Sequence, residues 1–318
     1  MQHTINPAAP VPVRTKKKGR FLRFLPLFLM SLPGSIYLLI NNYIPMGGVV
    51  IAFQSYNYGK GIFHSKFVGF RNFEFLLRSP DLPRILSNTL LYNACFILFG
   101  TITAILIAIL MGEIRSRAFG KFFQISILVP YMISMVLVAY VVYAILHPSY
   151  GFLNTRLFPL LGTKGINFYT TPGPWRIILP VVHVWKSAGY NSIIYYATIC
   201  GIDQEIYEAA KIDGASRFKQ IRYLTIPLLL PTVCMLTIMA VGRIFSSDFG
   251  LFYQVTLNSA ALYPATNVID VYVYNALMKL NDVGMSSAVG LMQSVVGCLL
   301  LVSTNAVIRR ISPDNAIF

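Results

Sequence analysis

From Thr89 to Met111 the chain runs 23 residues without a charged side chain. As a helix rising about 1.5 Å per residue, such a run is long enough for a hydrocarbon core about 30 Å thick. Five more stretches have comparable length and character: Phe24–Phe53, Phe122–Leu146, Arg176–Cys200, Ile226–Ser246 and Met285–Ile308. The first is overlong and holds Pro26, Pro33 and Pro45, so a kinked or tilted span is expected there. Only 12% of the residues are charged and the mean hydropathy is +0.63, whereas a soluble domain carries roughly 25% charged residues. The chain is expected to be an all-α, polytopic membrane protein with about six transmembrane helices.

A net charge of +15 could also indicate nucleic-acid binding, so the placement of the basic residues decides. Arg14, Lys16, Lys17, Lys18, Arg20 and Arg23 form a basic tail ahead of the first apolar run. That run is long and lacks a small-residue cleavage site, which argues for a retained span over a signal peptide. The tail is suited to anionic lipid headgroups. Alternate connections hold Arg115, Arg117 and Lys121, then Lys211, Arg217, Lys219 and Arg222, and finally Arg309 and Arg310. With the tail inside the cell, the inner segments collect 15 basic residues against nine on the longer outer ones. Both termini are therefore expected in the cytoplasm of a multi-pass cell-membrane protein with no nucleic-acid partner. Cys95, Cys200, Cys234 and Cys298 fall in apolar segments, without metal-ligand spacing or a disulfide framework.

The stretch IDQEIYEAAKIDGASRFKQIRYLTIPLLLP, Ile202 to Pro231, is a charged island between two apolar runs. Asp203 can cap a helix whose first turns carry Glu205 and Glu208, at the positive helix end. Gly214 provides a permissive stop, and Ser216 can start a second helix. Phe218, Ile221 and Leu224 recur at helical spacing while Arg217, Lys219 and Arg222 face away. These features describe a helix–turn–helix bracket across a membrane surface; a connecting loop whose charges simply meet water is the plainer alternative.

Glu208-Ala209-Ala210, then Gly214, then Leu224-Thr225-Ile226-Pro227 resemble the EAA loop of importer-type ABC permeases. Asp213-Gly214-Ala215-Ser216 resembles the sugar-importing branch, although Leu224 and Ile226 stand where that family more often has Ile and Leu. FVGFRNFEFLL from Phe67, NTL from Asn88 and GFLNTRL from Gly151 resemble sugar permeases in the same order. VWKSAGYNSIIYY from Val184 and the run from Asn267 to Gly297 are similar to permeases for polysaccharide-derived oligosaccharides. The resemblance covers nearly the whole chain, from Phe21 to Ile311.

It implies a type I ABC importer permease. The corresponding layout is a basic cytoplasmic tail over 1–23, a transmembrane permease domain over 24–311 with its coupling loop at 202–227, and a cytoplasmic tail over 312–318. The resemblance also implies that Glu208, Ala209, Ala210, Asp213 and Gly214 dock on an ATPase. The implied partners are a second homologous permease subunit, two ATP-binding subunits, an extracytoplasmic solute-binding protein, membrane lipids and an oligosaccharide substrate. ATP and Mg are expected on the partner ATPase subunits, and no cofactor in this chain.

No catalytic constellation is present in the sequence. Gly59-Lys60 and Gly120-Lys121 lack the remaining elements of a phosphate loop, and the four histidines lack zinc-protease spacing. The informative residues are polar groups inside apolar runs, which are costly in lipid and mark a cavity by default. Lys186, Tyr190 and His183 fall along one stripe of the fourth run, flanked by Trp185 and Asn191. Arg243 follows Met235 and Met239 at four-residue spacing, and Gln293 lies in the last run. Hydrogen-bonding groups beside aromatic faces suit a saccharide, so Lys186, Tyr190, Asn191, Trp185, Arg243 and Gln293 are substrate-pathway candidates. Snorkelling is the plainer alternative for Lys186 and Arg243, and packing or bonding to neighbouring helices is the alternative for the others. Two cations in a pathway would favour an acidic oligosaccharide. A secondary transporter of a small polar solute would need internal repeats with broken helices, an ion channel a filter or charged ring, and a membrane-embedded enzyme clustered acid, base or metal ligands. None of these patterns is found in the sequence.

Overall fold

The computed structural model describes residues 18–311 together with 313 and 316. Most of the basic tail and the 312–318 tail therefore lie outside the described residues. The described helices that matter here are α1 (Lys18–Leu38), α2 (Leu82–Gly112), α3 (Arg117–Met132), α4 (Met135–Leu146) and α5 (Trp175–Cys200). They continue with α6 (Gln204–Ile212), α7 (Arg217–Gly242), α8 (Ile269–Leu280) and α9 (Val283–Ile311). A two-stranded antiparallel ribbon, β1 (Gln54–Ser55) with β2 (Lys66–Phe67), is set in register by Gln54 opposite Phe67.

The described residues divide into two compact units, one up to residue 50 and one from residue 51 onward. In the first, α1 passes into a π-helical turn, Leu39–Tyr43, and the chain then runs through Ile44–Met46 into a 3-10 stretch, Gly47–Phe53. Pro45 has no N–H to return to residue 41, and a change of helical register there absorbs the missing bond.

The second unit is organised on α2. Its buried stripe includes Tyr92, Phe96, Gly100, Ala104 and Ala108, each four residues after the last. The small members of that row let α5 approach closely, with Ala188, Ser192 and Tyr195 on the buried face of α5. Ala104, Ala108, Tyr195 and Leu229 close one end of this packing. Toward the other end, Tyr92 and Phe96 join Val138, Val142, Trp175, Leu179, Leu251 and Phe252 in the largest core cluster. Helices α7 and α9 pack together at two glycines. A Cβ on Gly242 would come within 2.8 Å of Leu301, and one on Gly297 would overlap the Gly242 carbonyl.

Fewer than the six expected spans qualify by length and composition alone. Among the described residues, four helical stretches are long and apolar enough to cross a membrane: Phe24–Phe53, Leu82–Gly112, Arg217–Gly242 and Val283–Arg310. A fifth is obtained if α3 and α4 count as one, but they meet at 92°. The single run expected over Phe122–Leu146 is thus broken. Ser134 caps α4 by accepting from the Leu137 N–H at 3.4 Å, which stops α3 from continuing. The run expected over Arg176–Cys200 does form one helix of 26 residues. Its Arg176, His183, Lys186 and Asn191 dilute its apolar character, which explains why it does not stand with the other four. The molecule is all-α in its spans and polytopic.

Candidate functional site

The connection between α5 and α7 is built as the bracket its residues predict. Asp203 is extended, and its Oδ1 accepts from the Glu205 N–H at 3.0 Å, capping α6. At the other end Gly214 has φ of 75°, the left-handed region that glycine enters without a Cβ penalty. The Gly214 N–H donates to the Lys211 carbonyl at 3.1 Å and the Ala215 N–H to the Ala210 carbonyl at 2.9 Å. That pair of bonds is a Schellman closure, satisfying carbonyls that the helix end leaves open. Gln220, buried at the turn, donates to the Ala215 carbonyl at 3.0 Å.

Glu208, Ala209, Asp213 and Gly214 are exposed and Ala210 is half-buried. Beside them Ile206, Ile212 and Phe218 are exposed as well, Ile212 at 87%. The expected inward face of Phe218, Ile221 and Leu224 is therefore only partly realised. Ile221 and Leu224 are half-buried, but Phe218 is not, and Gln220 and Thr225 fill the buried positions instead. A π turn over Ile221–Thr225 shifts the register and brings them inward. Tyr207 and Arg217 border a cavity of about 110 Å³ against Ile109 and Glu113 at the end of α2, and Arg217 reaches Glu113 at 4.0 Å.

The six pathway candidates separate. Asn191 lines a cavity of about 210 Å³ with His183 and Tyr195 from α5, Phe96 and Thr101 from α2, and Leu236 from α7. His183 stacks on Phe96 with centroids 3.9 Å apart. Lys186 and Tyr190 meet α3 instead. The Lys186 Nζ donates to the carbonyls of Pro130 at 3.3 Å, Tyr131 at 3.1 Å and Ile133, at the end of α3. Tyr190 stacks on Tyr131 at 4.3 Å. At about 100° of turn and 1.5 Å of rise per residue, His183 and Tyr190 point nearly the same way but lie about 10 Å apart along α5, so the stripe seen in the sequence is divided along its length between α2 and α3. Trp185 is 47% exposed and borders neither group. Arg243 is exposed just past the end of α7. Gln293 donates to the Phe245 carbonyl at 2.7 Å and approaches Asp270 at 3.4 Å.

Two groupings escaped the sequence reading. Asp270 accepts from the Ser247 backbone N–H, and Asn93 donates to the Ile244 carbonyl at 2.8 Å, so polar side chains from α2, α8 and α9 hold the non-helical segment after α7. Gln54, Arg71, Asn72 and Asp282 line a polar cavity of about 460 Å³ beside the ribbon. Neither grouping has a local sequence signal, because its members are separated by up to more than a hundred residues.

Comparison with known proteins bears on this arrangement. The family described as "Binding-protein-dependent transport system inner membrane component" matches residues 100–313. The chain is 34% identical over 305 residues to the polygalacturonan/rhamnogalacturonan transport system permease protein YteP of Bacillus subtilis, covering 95% of this chain and 94% of that one. It is 31% identical to Protein LplB of the same organism, over 98% and 99% of the two chains. Among solved structures, it is similar at a TM-score of 0.83 and 30% identity to a chain of a bacterial ABC transporter involved in the import of the acidic polysaccharide alginate. That likeness covers 93% of this chain and 99% of the other.

Proposed function

The chain belongs to the binding-protein-dependent transport system inner membrane components, and from that premise we propose that its 202–227 connection is the lever on which partner ATPases act. It is a non-catalytic transmembrane permease subunit of an ABC-type importer. The observation that carries the lever reading is α6 itself, capped at both ends, with Ile206, Ala209 and Ile212 left uncovered beside Glu208. Small and apolar side chains permit close approach of a protein groove, and Glu208 supplies a hydrogen-bond acceptor at its edge. Asp213 and Gly214 set the angle at which the chain leaves that surface.

In this reading the chain supplies half of the translocation path and a second, homologous permease supplies the rest. Two cytoplasmic ATP-binding subunits hold ATP and Mg, and an extracytoplasmic binding protein delivers the cargo. Nucleotide-driven closure biases the spans between inward- and outward-facing states through differential contacts with α6. Six spans follow if α3–α4 is one broken span and α5 is counted despite its polar groups, which face protein rather than lipid at His183 and Lys186. The distribution of basic residues supports cytoplasmic termini. The cavity at Asn191 and His183 offers amide, imidazole and aromatic surfaces to a passing saccharide. An acidic oligosaccharide cargo is supported by the solved relative that imports alginate.

Gly214→Pro tests the lever. Proline is confined near φ of about −65° and lacks the N–H that closes α6. Intact membrane insertion with loss of substrate-stimulated ATP hydrolysis is expected; normal stimulation would count against the coupling role.

A further inference from the structure

A helix that ends inside an apolar environment leaves its last carbonyls without donors, and each is costly to leave bare. Helix α3 ends in this way at Met132, and the chain turns through Ile133 and Ser134 before α4 departs at 92°. The ammonium of Lys186 meets this need. Its three N–H donors match three carbonyls, those of Pro130, Tyr131 and Ile133. A positive charge at that point also faces the negative end of the α3 dipole.

The attachment is wider than one side chain. Three residues on, a Cβ at Gly189 would overlap the Ile127 carbonyl, so the backbones of α5 and α3 touch. One residue further, Tyr190 lies flat on Tyr131, with an interplanar angle of 11°. Lys186, Gly189 and Tyr190 thus fasten α5 to the last turns of α3. Helix α5 leads directly through Gly201 into α6, and α4 packs on the π turn Leu251–Val255 that follows α7.

We propose that Lys186 is a positioning residue for transport: it holds the α3–α4 break in shape and locks α5 to it, so that displacement of α6 is passed to α4 and the segment after α7. This proposal rests on the reading of 202–227 as the coupling loop. In it, the half-buried cation serves the helix break and not the cargo.

The test uses the complete importer, reconstituted with its partner subunits, and compares basal with binding-protein-stimulated ATP hydrolysis. Lys186→Met keeps the length of the side chain and removes its donors. It is expected to leave basal hydrolysis intact and reduce stimulation by about tenfold, within the usual span of coupling between sites. Lys186→Arg, which can still donate to carbonyls, is expected to recover part of that loss. Spin labels at the exposed positions Ile125 and Tyr140 are expected to report one narrow α3–α4 distance in the parent and a broadened one in Lys186→Met. Gly189→Ala, which wedges the same contact while Lys186 remains, is expected to reproduce the loss and carries the test if Lys186→Met does not assemble. Full stimulation in Lys186→Met or in Gly189→Ala overturns the proposal, as does an arginine variant no better than methionine. Gly214→Pro run in parallel separates the two claims. Normal stimulation there removes the lever itself, whereas its loss alongside normal Lys186→Met removes only the clasp.

Discussion

The phenol of Tyr207 and the hydroxyl of Thr225 share a hydrogen bond at 2.9 Å, tying α6 to the π turn at the foot of α7. Thr225 is buried and Tyr207 half-buried. The contact therefore joins the exposed bracket to a span through a pair partly shielded from water, where such a bond is worth more than at the open surface.

Tyr207→Phe removes this bond and little volume. A net loss of about 1 kcal/mol at the joint is expected. Insertion should be normal while binding-protein-stimulated ATP hydrolysis falls about fivefold, measured in the reconstituted complex. Unchanged stimulation would mean that the joint does not transmit.

Gly297→Val places a branched side chain where the Gly242 carbonyl already sits. Overpacking of this kind costs about 1–3 kcal/mol. The purified permease should unfold at lower temperature, and Gly297→Ala should show a smaller effect of the same sign. A stability equal to the parent's would show that α7 and α9 do not cross as described.

Asp270→Ala strips the acceptor from the Ser247 N–H and the partner from Gln293. Leaving a half-buried donor unsatisfied costs about 1 kcal/mol, toward the low end of the range for buried groups. Accelerated hydrogen exchange over residues 243–249 is the expected result, with Asp270→Asn milder because one oxygen remains. Equal exchange in all three proteins would argue that this segment is held by packing alone.

Asn191→Leu fills the cavity between α2, α5 and α7 with apolar volume and removes an amide. If cargo passes there, uptake should need a higher substrate concentration while binding-protein-stimulated ATP hydrolysis persists. Trp185→Leu, outside that cavity, is the control expected to stay near parental uptake. Parallel losses in both would point to a general packing defect.

Much of the site was legible because it is local. Asp203, Gly214 and the segment between them are contiguous, and capping and left-handed turn chemistry act over a few residues. Ile221–Thr225 was less so, since a π turn is a register choice imposed by what it packs against. That shift buried Gln220 and Thr225 and left Phe218 at 70% exposure. The stripe of His183, Lys186 and Tyr190 was visible in the sequence, but its division between α2 and α3 was not. A helix presents all its faces at once, and only the neighbours determine which side chain meets which.

The sequence by itself determined that the chain is apolar, helical and repeatedly long enough to cross a bilayer, because those properties are set by composition and short-range periodicity. It also determined the form of α6, whose start and stop are written within a dozen residues. The tertiary structure decided the break between α3 and α4, the destination of the Lys186 ammonium and the clustering of Asp270, Gln293 and Asn93. Each of these depends on a donor and an acceptor brought together from distant helices, and a carbonyl left open at a helix end has no partner until another span has packed beside it.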